Sequence, residues 1–364
     1  MKNKIRILII GPLPLPLNGC SLSNKILLNW FVKAKKPFSF IDTNTNQISS
    51  QQGDKFSFFK SITFFQKYIQ LYKIVGSDII YMTPGLTFYG ILKYAPFILL
   101  CQIVKKKYVI HIHGNNFDSN YKIQQYIKQK IWYRLISKAS QGIVLSESLL
   151  PNLTLFLPID KISIVKNFVT DNLINSYFQP KKTDKLRILF LSNLIVEKGF
   201  VDILDALIIL KEKEIRFNAI FAGKIDTQIF ESVKNKFDFL KDSVSYIGIV
   251  EGNEKKNVLV ESNIFILPTY YKIEGQPISI LEAMATGNII ITTRQGGIED
   301  IVSNDNGYFV DKKSPISIAD TLEQINSNLQ NEIDAKAFTN YKKIKNSFTE
   351  ELFFNNILNI FNKL

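Results

Sequence analysis

The stretch DNLINSYFQPKKTDKLRILFLSN, Asp171–Asn193, divides the 364-residue chain into two halves. Its first part, Asp171–Lys185, is polar and contains Pro180, a composition typical of a linker. Its second part, LRILFLSN, begins a new apolar run with the length of a strand. We therefore expect two domains, residues 1–170 and 186–345, followed by a C-terminal helix, 346–364, that packs back on the domains.

Short apolar runs alternate with longer helical patterns on both sides of this linker, as is typical of βαβ units and parallel sheets. Several runs contain only Ile, Leu, Val and Phe, which indicates strands that are covered on both faces. The predicted fold is two doubly wound α/β domains that face each other, with ligands at the carboxyl ends of the strands. The predicted strands are Ile5–Ile10, Phe38–Ile41, Ile79–Met82, Tyr108–His111, Ile143–Leu145, Ile162–Val165, Leu186–Leu191, Asn218–Ala222, Val244–Ile247, Ile264–Leu267, Ile289–Thr292 and Tyr308–Val310.

The net charge of +13 is concentrated in the first half of the chain. Residues 1–170 hold 22 Lys and Arg against 6 Asp and Glu, a balance of +16, whereas residues 171–364 have a balance of −3. A one-sided positive field favours an anionic partner such as a lipid surface or a phosphorylated substrate. No nucleic-acid-binding motif accompanies the charge, so nucleic acid is not an expected partner. A general lysine bias is the alternative explanation, although it does not account for the asymmetry.

The start of the chain, MKNKIRILIIGPLP, resembles a short signal peptide but lacks a small-residue cleavage site, and its apolar run stops at Gly11. We interpret it as the first strand. The longest apolar stretch, Leu86–Val104, is interrupted by Lys93 and Pro96, so a buried or membrane-touching helix is expected rather than a spanning one. Two cysteines without a pairing pattern suit a reducing cytoplasm.

The segment EGQPISILEA, Glu274–Ala283, places two glutamates around the predicted start of a helix. Pro277 suits the first helical position, which leaves Gln276 at the cap. The free backbone N–H groups at such a start, here near Gln276–Ser279 with Ile278 between them, form an anion site suited to phosphate. Glu282 shares an apolar helix face, so its carboxylate needs a partner, either ligand hydroxyls or a buried Lys or Arg.

Other strand ends carry polar side chains that can contact a ligand. Lys198, in the turn of FLSNLIVEKGF, can reach a diphosphate as a point charge, unless it is an ordinary surface lysine. His113, in HIHGNNF, can hydrogen-bond a hydroxyl, whereas His111 lies inside the strand and is expected to be structural. The turn near Gly19 can offer amides to a phosphate or serve only as a turn.

Several well-known sites are not indicated. The sequence contains no G-x-G-x-x-G fingerprint and no Walker motif. It has no Cys/His cluster and no Asp-x-Asp motif, so neither a bound metal nor a cofactor is expected.

Together these motifs resemble the retaining glycosyltransferases of the GT-B fold, in the family called glycosyl transferases group 1. The Glu274…Glu282 pair matches the two-glutamate motif of that family, SNLIVEKG resembles its Lys-Gly turn, and HIHG resembles its His-Gly. GGIEDIV and NGYFV resemble its late Gly-Gly segment. The resemblance covers most of the chain and is strongest over Leu186–Val310. It implies a metal-independent hexosyltransferase with two Rossmann-like domains.

The resemblance also implies roles for individual residues. Glu282 would bind the ribose of a nucleotide-diphosphate sugar, such as a UDP- or GDP-sugar, and Glu274 the donor sugar. Lys198 and the amides near Gln276–Ser279 would hold the diphosphate. Gly19 would approach the distal phosphate, and His113 would touch the sugar near the reacting carbon.

One departure concerns Ser192–Asn193, where the family usually has Gly-Arg. That arginine helps to neutralise the leaving diphosphate, so either another cation such as Arg294 replaces it at Asn193 or activity is reduced. The expected function is transfer of a sugar to a lipid-linked or polysaccharide acceptor, in the cytoplasm or at the inner face of the cell membrane. Lys55–Lys73 and Lys105–Tyr108 are candidate membrane contacts. The alternatives are a catalytically weakened scaffold that binds nucleotide sugar and, as a further enzymatic reading, an epimerase or hydrolase.

Overall fold

The computed structural model describes residues 5–15, 18–44, 64–174 and 180–364. The chain forms two compact units, which we call unit 1 and unit 2. Unit 1 takes in Met1–Asn167 and Glu351–Leu364, and unit 2 takes in Phe168–Glu350. Unit 2 therefore begins at Phe168, slightly before the predicted linker Asp171–Lys185. The final segment, Glu351–Leu364, belongs to unit 1.

Unit 1 contains a six-stranded sheet in the order β2-β1-β3-β4-β5-β6. All neighbouring strands in it are parallel. Because successive side chains of a strand point to opposite faces, the sheet divides its apolar residues between two layers of helices. The strands are β1 (Ile7–Gly11), β2 (Phe38–Asp42), β3 (Ile79–Met82), β4 (Lys107–His111), β5 (Gln141–Val144) and β6 (Ile162–Ile164).

Two helical layers cover this sheet. Helix α1 lies on one face, and the other face carries a core that joins the segment from residue 64 to 75 with the helices that follow it. Phe64, Ile74, Phe97 and Trp132 are buried in that second layer. The helices are α1 (Gly19–Lys33), α2 (Tyr72–Val75), α3 (Phe88–Leu92), α4 (Ala95–Ile103), α5 (Phe117–Lys122), α6 (Tyr126–Ile136) and α7 (Pro151–Thr154), with a 3₁₀ helix over Gln66–Leu71.

Unit 2 contains a second parallel six-stranded sheet, in the order β12-β11-β10-β7-β8-β9. Strands β10 and β11 in its centre are buried along their whole length, as expected for strands between two helical layers. The strands are β7 (Leu186–Leu191), β8 (Phe217–Ala222), β9 (Val244–Tyr246), β10 (Ile264–Leu267), β11 (Ile289–Thr292) and β12 (Gly307–Phe309). The helices are α8 (Asp171–Ile174), α9 (Phe200–Glu212), α10 (Thr227–Leu240), α11 (Gly252–Glu261), α12 (Ile278–Ala285), α13 (Pro315–Ser327) and α14 (Leu329–Ser347).

Helix α15 (Glu350–Lys363) returns the chain to unit 1 and packs beside α1. Its Phe354 ring stacks on Trp30 at a centroid distance of 5.5 Å and meets Phe31 edge-on at 5.4 Å. Phe361 contacts Tyr81 of β3 edge-on at 5.9 Å. The first face of the unit 1 sheet is therefore covered by two helices that lie far apart in sequence.

The predicted α/β class with two parallel sheets is confirmed, and each predicted strand coincides with an observed one to within a few residues. Strand β1 starts at Ile7 rather than Ile5. None of the helices in the described part of the chain combines the length and apolarity that a membrane-crossing segment needs.

Candidate functional site

The turn after β7 brings Lys198 to the carboxyl edge of the unit 2 sheet. A 3₁₀ helix, Val196–Lys198, leads into Gly199, whose φ is +80°. A Cβ atom at Gly199 would lie 2.5 Å from the carbonyl oxygen of Pro268, so only glycine permits this close approach to the end of β10. The Lys-Gly turn therefore places the lysine beside the loop that follows β10.

Lys198 pairs with Glu274 at this edge. The ammonium group donates a hydrogen bond to Glu274 Oε2, and Thr269 Oγ1 donates to the same oxygen at 3.2 Å. Only 7% of Glu274 is exposed. Its charge is therefore matched by a cation and a hydroxyl, as a buried carboxylate requires. Lys198 also lies 5.1 Å from the centre of the Tyr271 ring.

The Gly-Gly turn after β11 supports the backbone of the same loop. Gly297 N–H donates to the Gly275 carbonyl at 2.7 Å, and Gln295 Nε2 donates to the Tyr271 carbonyl at 3.0 Å. Gly296 has a φ of +54°, and a Cβ atom there would lie 2.1 Å from the Glu274 carbonyl oxygen. The position of Glu274 therefore depends on the close contact between Gly296 and the Glu274 backbone. In the sequence, only the Gly-Gly motif points to this contact.

Helix α12 starts directly after this loop and confirms the expected strand–loop–helix order. The helix begins at Ile278, and Pro277, with ψ of 119°, is its cap. The predicted cap at Gln276 and first helical position at Pro277 are therefore wrong by one residue, because Pro277 is extended rather than helical. The first turn contains no acidic residue, so the free N–H groups at Ile278 and Ser279 keep the positive end of the helix dipole.

Glu282 lies on the buried face of α12 and pairs with a lysine. Lys255 Nζ, on α11, donates to Glu282 Oε1 at 2.6 Å, and the glutamate side chain is 5% exposed. Of the two partners that the sequence left open, the structure supplies a lysine. The Lys255 side chain is 26% exposed, so this end of the pair can be reached by solvent or by a ligand. Sequence reasoning missed Lys255, because nothing in its polar helix signals a partner 27 positions later.

Asn193 and Arg294 lie on different parts of this edge. Asn193 is exposed after β7, whereas Arg294 follows β11, two strands away in the sheet. The Arg294 guanidinium lies 4.1 Å from the centre of the Phe309 ring of β12, and it donates to Glu299 at 3.0 Å. Arg294 is therefore engaged with Phe309 and Glu299 on its own side of the sheet, two strands from the strand that precedes Asn193.

Another cation lies next to Asn193. The Leu194 N–H donates to the Lys224 carbonyl at 2.8 Å, and Ser192 N–H donates to the Ala222 carbonyl at 3.1 Å. Lys224 is exposed, and its ammonium group has no partner among the residues that the structure describes. Gly223 allows the two turns to meet, because a Cβ atom there would lie 1.9 Å from the Ser192 carbonyl oxygen.

In unit 1, Gly19 is the first residue of α1 after β1. Asn18 caps the helix, since its side chain accepts from Ser21 N at 3.0 Å while Ser21 Oγ accepts from Asn18 N at 3.0 Å. Gly19 is exposed at this helix start. The predicted turn between strand and helix is thus a capped helix N-terminus.

His113 follows β4 in unit 1 and packs against His111. The two rings are 3.9 Å apart, and the Tyr81 hydroxyl shares a hydrogen bond with His111 Nδ1 at 2.6 Å. Both ring nitrogens of His113 are buried without a hydrogen-bond partner among the described residues. Burial lowers the pKa of His113 to about 3, so the ring is neutral at physiological pH.

The predicted donor-site residues of unit 2 thus lie on adjoining loops and on one helix, with Arg294 set apart. A cavity of about 180 Å³ lies elsewhere, in unit 1, and its lining contains no charged side chain: Thr87, Phe88, Tyr89, Asn120, Ile123 and Gln124. Within the described ranges, no cluster of three or more His, Cys, Asp or Glu is arranged to hold a metal ion.

Comparison with known proteins places this geometry in context. The model of the family "Glycosyl transferases group 1" matches residues 174–345, nearly the whole of unit 2. The amylovoran biosynthesis glycosyltransferase AmsK of Erwinia amylovora is 22% identical over 280 residues, which cover 72% of this chain and 65% of AmsK. The chain therefore spans just under two thirds of the length of that relative.

Solved structures resemble both units. Anabaena HepE in complex with UDP superposes with a TM-score of 0.74 at 13% identity, covering 99% of this chain and 100% of HepE. The sucrose-phosphate synthase of Thermosynechococcus elongatus superposes with a TM-score of 0.75 at 15% identity, covering 99% and 98%. At these identities the likeness shows the fold, which is GT-B as predicted.

Proposed function

Because the model of the glycosyl transferases group 1 family matches residues 174–345, we propose that the protein transfers a sugar from a nucleotide-diphosphate sugar to an acceptor hydroxyl, with retention of configuration. The observation that carries the proposal is the Lys198–Glu274 pair, held beside the start of α12, whose buried face carries Glu282. One edge of one sheet thus offers a sugar-binding carboxylate, a phosphate-binding helix start and a second carboxylate for the ribose.

The donor contacts divide among these residues. The ribose hydroxyls donate to Glu282, and the diphosphate lies at the N–H groups of α12 near Gln276–Ser279, with Lys198 as a point charge. Glu274 accepts from hydroxyls of the donor sugar and keeps Lys198 as its counter-ion. In unit 1, Gly19 is proposed to contact the distal phosphate and His113 the sugar.

Lys224 is proposed to supply the charge that Asn193 lacks. Its turn is hydrogen-bonded to the turn of Asn193, and no described residue pairs with its ammonium group. Two lysines and a helix dipole can then neutralise the departing diphosphate without a metal ion.

In the reaction, the acceptor oxygen attacks the anomeric carbon from the face that the diphosphate leaves. The bond between that carbon and the phosphate oxygen breaks, and its electron pair stays on the diphosphate. The acceptor hydroxyl proton passes to a diphosphate oxygen, so no protein nucleophile is needed. The transition state resembles an oxocarbenium ion, and the protein contributes positioning and charge stabilisation.

The relatives guide the choice of substrates. HepE is described in complex with UDP and with UDP-glucose, so UDP-sugars are the first donors to try, with GDP-sugars next. AmsK is named for amylovoran biosynthesis, and CapM of Staphylococcus aureus for capsular polysaccharide biosynthesis. We therefore propose a polysaccharide or lipid-linked acceptor, met in the cytoplasm at the inner face of the cell membrane.

A thermal-shift panel of UDP-, GDP-, ADP- and dTDP-sugars tests the donor site, because a ligand that binds only the folded state raises the melting temperature. One nucleotide series should raise it, and Glu282→Ala should abolish the rise. Glu299→Ala is the matched control, since Glu299 is an exposed glutamate of unit 2 paired with Arg294. No shift with any sugar nucleotide, and no nucleotide release with an acceptor extract, would defeat the proposal.

A second candidate is a catalytically weakened scaffold that binds nucleotide sugar. The asparagine at position 193 favours it, since an arginine there normally neutralises the leaving group. In cells, this alternative predicts that Glu274→Ala leaves the surface glycan unchanged while loss of the whole protein alters it. Equal glycan defects in both strains would reject the scaffold.

A further inference from the structure

The outer surface of one helical layer of unit 1 is unusually apolar. Four isoleucines there, Ile69, Ile103, Ile123 and Ile127, are between 71% and 78% exposed. No other large apolar side chain among the described residues is as exposed. Single exposed apolar residues are common on protein surfaces, but large exposed apolar patches mark interaction sites. We therefore ask what this surface contacts.

These residues lie on neighbouring elements. Helix α4, which bears Ile103, packs against both the 66–75 segment and α6. All three elements cover the same face of the sheet through a common core. Their outward side chains therefore belong to one continuous surface, which we call the outer surface: the exposed residues of 65–75, α4, Ile123 and α6.

Helix α6 shows the pattern most clearly. Trp132, Leu135 and Ile136 are buried on one side, and two tyrosines, two isoleucines, a lysine and an arginine are exposed on the other: Tyr126, Ile127, Lys130, Ile131, Tyr133 and Arg134. The helix contains no acidic residue. Lys130 lies 4.7 Å from the centre of the Tyr126 ring. Aromatic and apolar residues mixed with basic ones are the composition of helices that lie in a lipid interface.

The charge of this region has one sign. Residues 64–146 contain 11 Lys and Arg and only two acidic residues, Asp78 and Asp118. Each of the two carboxylates is already paired, Asp78 with Arg6 and Asp118 with Lys122 at 2.9 Å. The run Lys105–Lys107 directly follows α4, next to exposed Ile103. No unpaired carboxylate of this stretch would repel an anionic surface.

We propose that the outer surface rests on an anionic lipid bilayer, with the isoleucines and tyrosines in the headgroup region and the lysines and arginine on lipid phosphates. The uniform positive charge favours a bilayer over a second copy of the chain, since two such surfaces would repel each other. The inference deepens the proposed function. It rests on that function in one respect: the lipid-linked acceptor would be met at the bilayer. It adds α6 to the two predicted contacts, Lys105–Tyr108 and Lys55–Lys73. The predicted segment Lys55–Lys73 lies partly outside the described residues.

Co-sedimentation of the whole protein with vesicles tests the proposal. The wild type should bind phosphatidylcholine vesicles that contain phosphatidylglycerol, bind pure phosphatidylcholine weakly, and lose affinity as salt is raised. Ile103→Glu with Ile127→Glu should weaken binding roughly a hundredfold, because each isoleucine buries an apolar side chain in the interface. The matched control is Ile249→Glu with Ile316→Glu, two exposed isoleucines of unit 2.

Several outcomes would overturn the proposal: no binding of the wild type to anionic vesicles, equal binding of both double variants, or a wild-type dimer that only the first double variant dissociates. The thermal shift with sugar nucleotides is measured on the same samples. It reports on unit 2, so a lost shift with retained vesicle binding would reject the proposed function and leave the membrane surface standing.

Discussion

At the scale of single residues, the unit 2 site differs from an ordinary charged surface because its glutamates already have partners. Glu274 is paired with Lys198, and Glu282 with Lys255, so each carboxylate is held in a fixed orientation before a donor arrives. Because the side chains are already oriented, donor binding requires less rearrangement of the site. Lys224 is the contrasting case, since it is exposed beside Asn193 and has no ion-pair partner in the described part of the chain.

Lys224→Met should reduce kcat at least about tenfold, because the proposed charge-assisted contact to the leaving diphosphate would be lost in the transition state. Adding Asn193→Arg to this variant should restore most of the rate, since the arginine returns a cation to the adjoining turn. Lys241→Met, at an exposed lysine after α10, is the control and should have no effect. Steady-state kinetics with the donor found by thermal shift gives the answer. An unchanged kcat for Lys224→Met would contradict the role.

His113 makes stability depend on pH. Its pKa is about 3 in the folded protein and near 6.5 when unfolded, so between these values the unfolded chain binds a proton that the folded chain does not. Stability is therefore lost as pH falls from 6.5 toward 3. His113→Asn should reduce the loss between pH 7 and pH 4, by on the order of 2 kcal/mol. Urea unfolding at the two pH values measures it, and parallel losses in both proteins would refute the prediction.

At the scale of elements, the loop that carries Glu274 is held from behind by the Gly-Gly turn after β11. Gly296→Ala should destabilise the protein by about 2 kcal/mol or more and weaken donor binding, since its Cβ would displace the Glu274 backbone. Gly252→Ala is a close control, because Gly252 has the same φ of +54° but open space around its Cβ position. Thermal melts with and without donor separate the two effects. Equal effects of the two substitutions on stability and donor binding would contradict a role for the contact between Gly296 and the Glu274 backbone.

Elements were easier to predict from the sequence than contacts. The strands are short runs of mainly apolar residues such as IFIL and IIIT, a pattern typical of a sheet that is covered on both faces, so this pattern was enough to predict them. The strand–loop–helix order around Glu274 was also predictable, because each of its parts has a distinct sequence pattern. The Lys255–Glu282 pair and the turning of Arg294 onto Phe309 were not predictable, because both depend on how separate elements pack. The predicted helix start at Pro277 lies one residue before the observed start at Ile278, since proline suits both the cap and the first turn.

At the scale of the whole molecule, the two units hold different parts of the proposed activity. Unit 2 contains the glutamates and most of the proposed diphosphate contacts, whereas unit 1 contains His113, Gly19 and the outer surface. Unit 1 is also completed by α15, whose residues follow unit 2 in the chain. Damage to α15 should therefore act on unit 1 alone.

Phe361→Ala should cost unit 1 about 3–5 kcal/mol, because the ring is fully buried against Phe31 and Tyr81. Asn356→Ala, at an exposed position of the same helix, should be neutral. Amide hydrogen exchange read by peptide should show faster exchange in β1–β6 and no change in β7–β12. Faster exchange throughout both sheets would show that the units do not unfold separately.

The return of the chain through α15 has a consequence for biosynthesis. Trp30, Phe31 and Tyr81 leave the ribosome early, yet the helix that covers them is translated only after all of unit 2. At about 5–20 residues per second, the synthesis of unit 2 alone takes roughly 10 to 35 s. During that interval unit 2 can complete its sheet while an aromatic face of unit 1 stays uncovered. The nascent chain is thus a natural client for chaperones that bind exposed aromatic surfaces, and ribosome-bound chains halted before residue 351 should capture them.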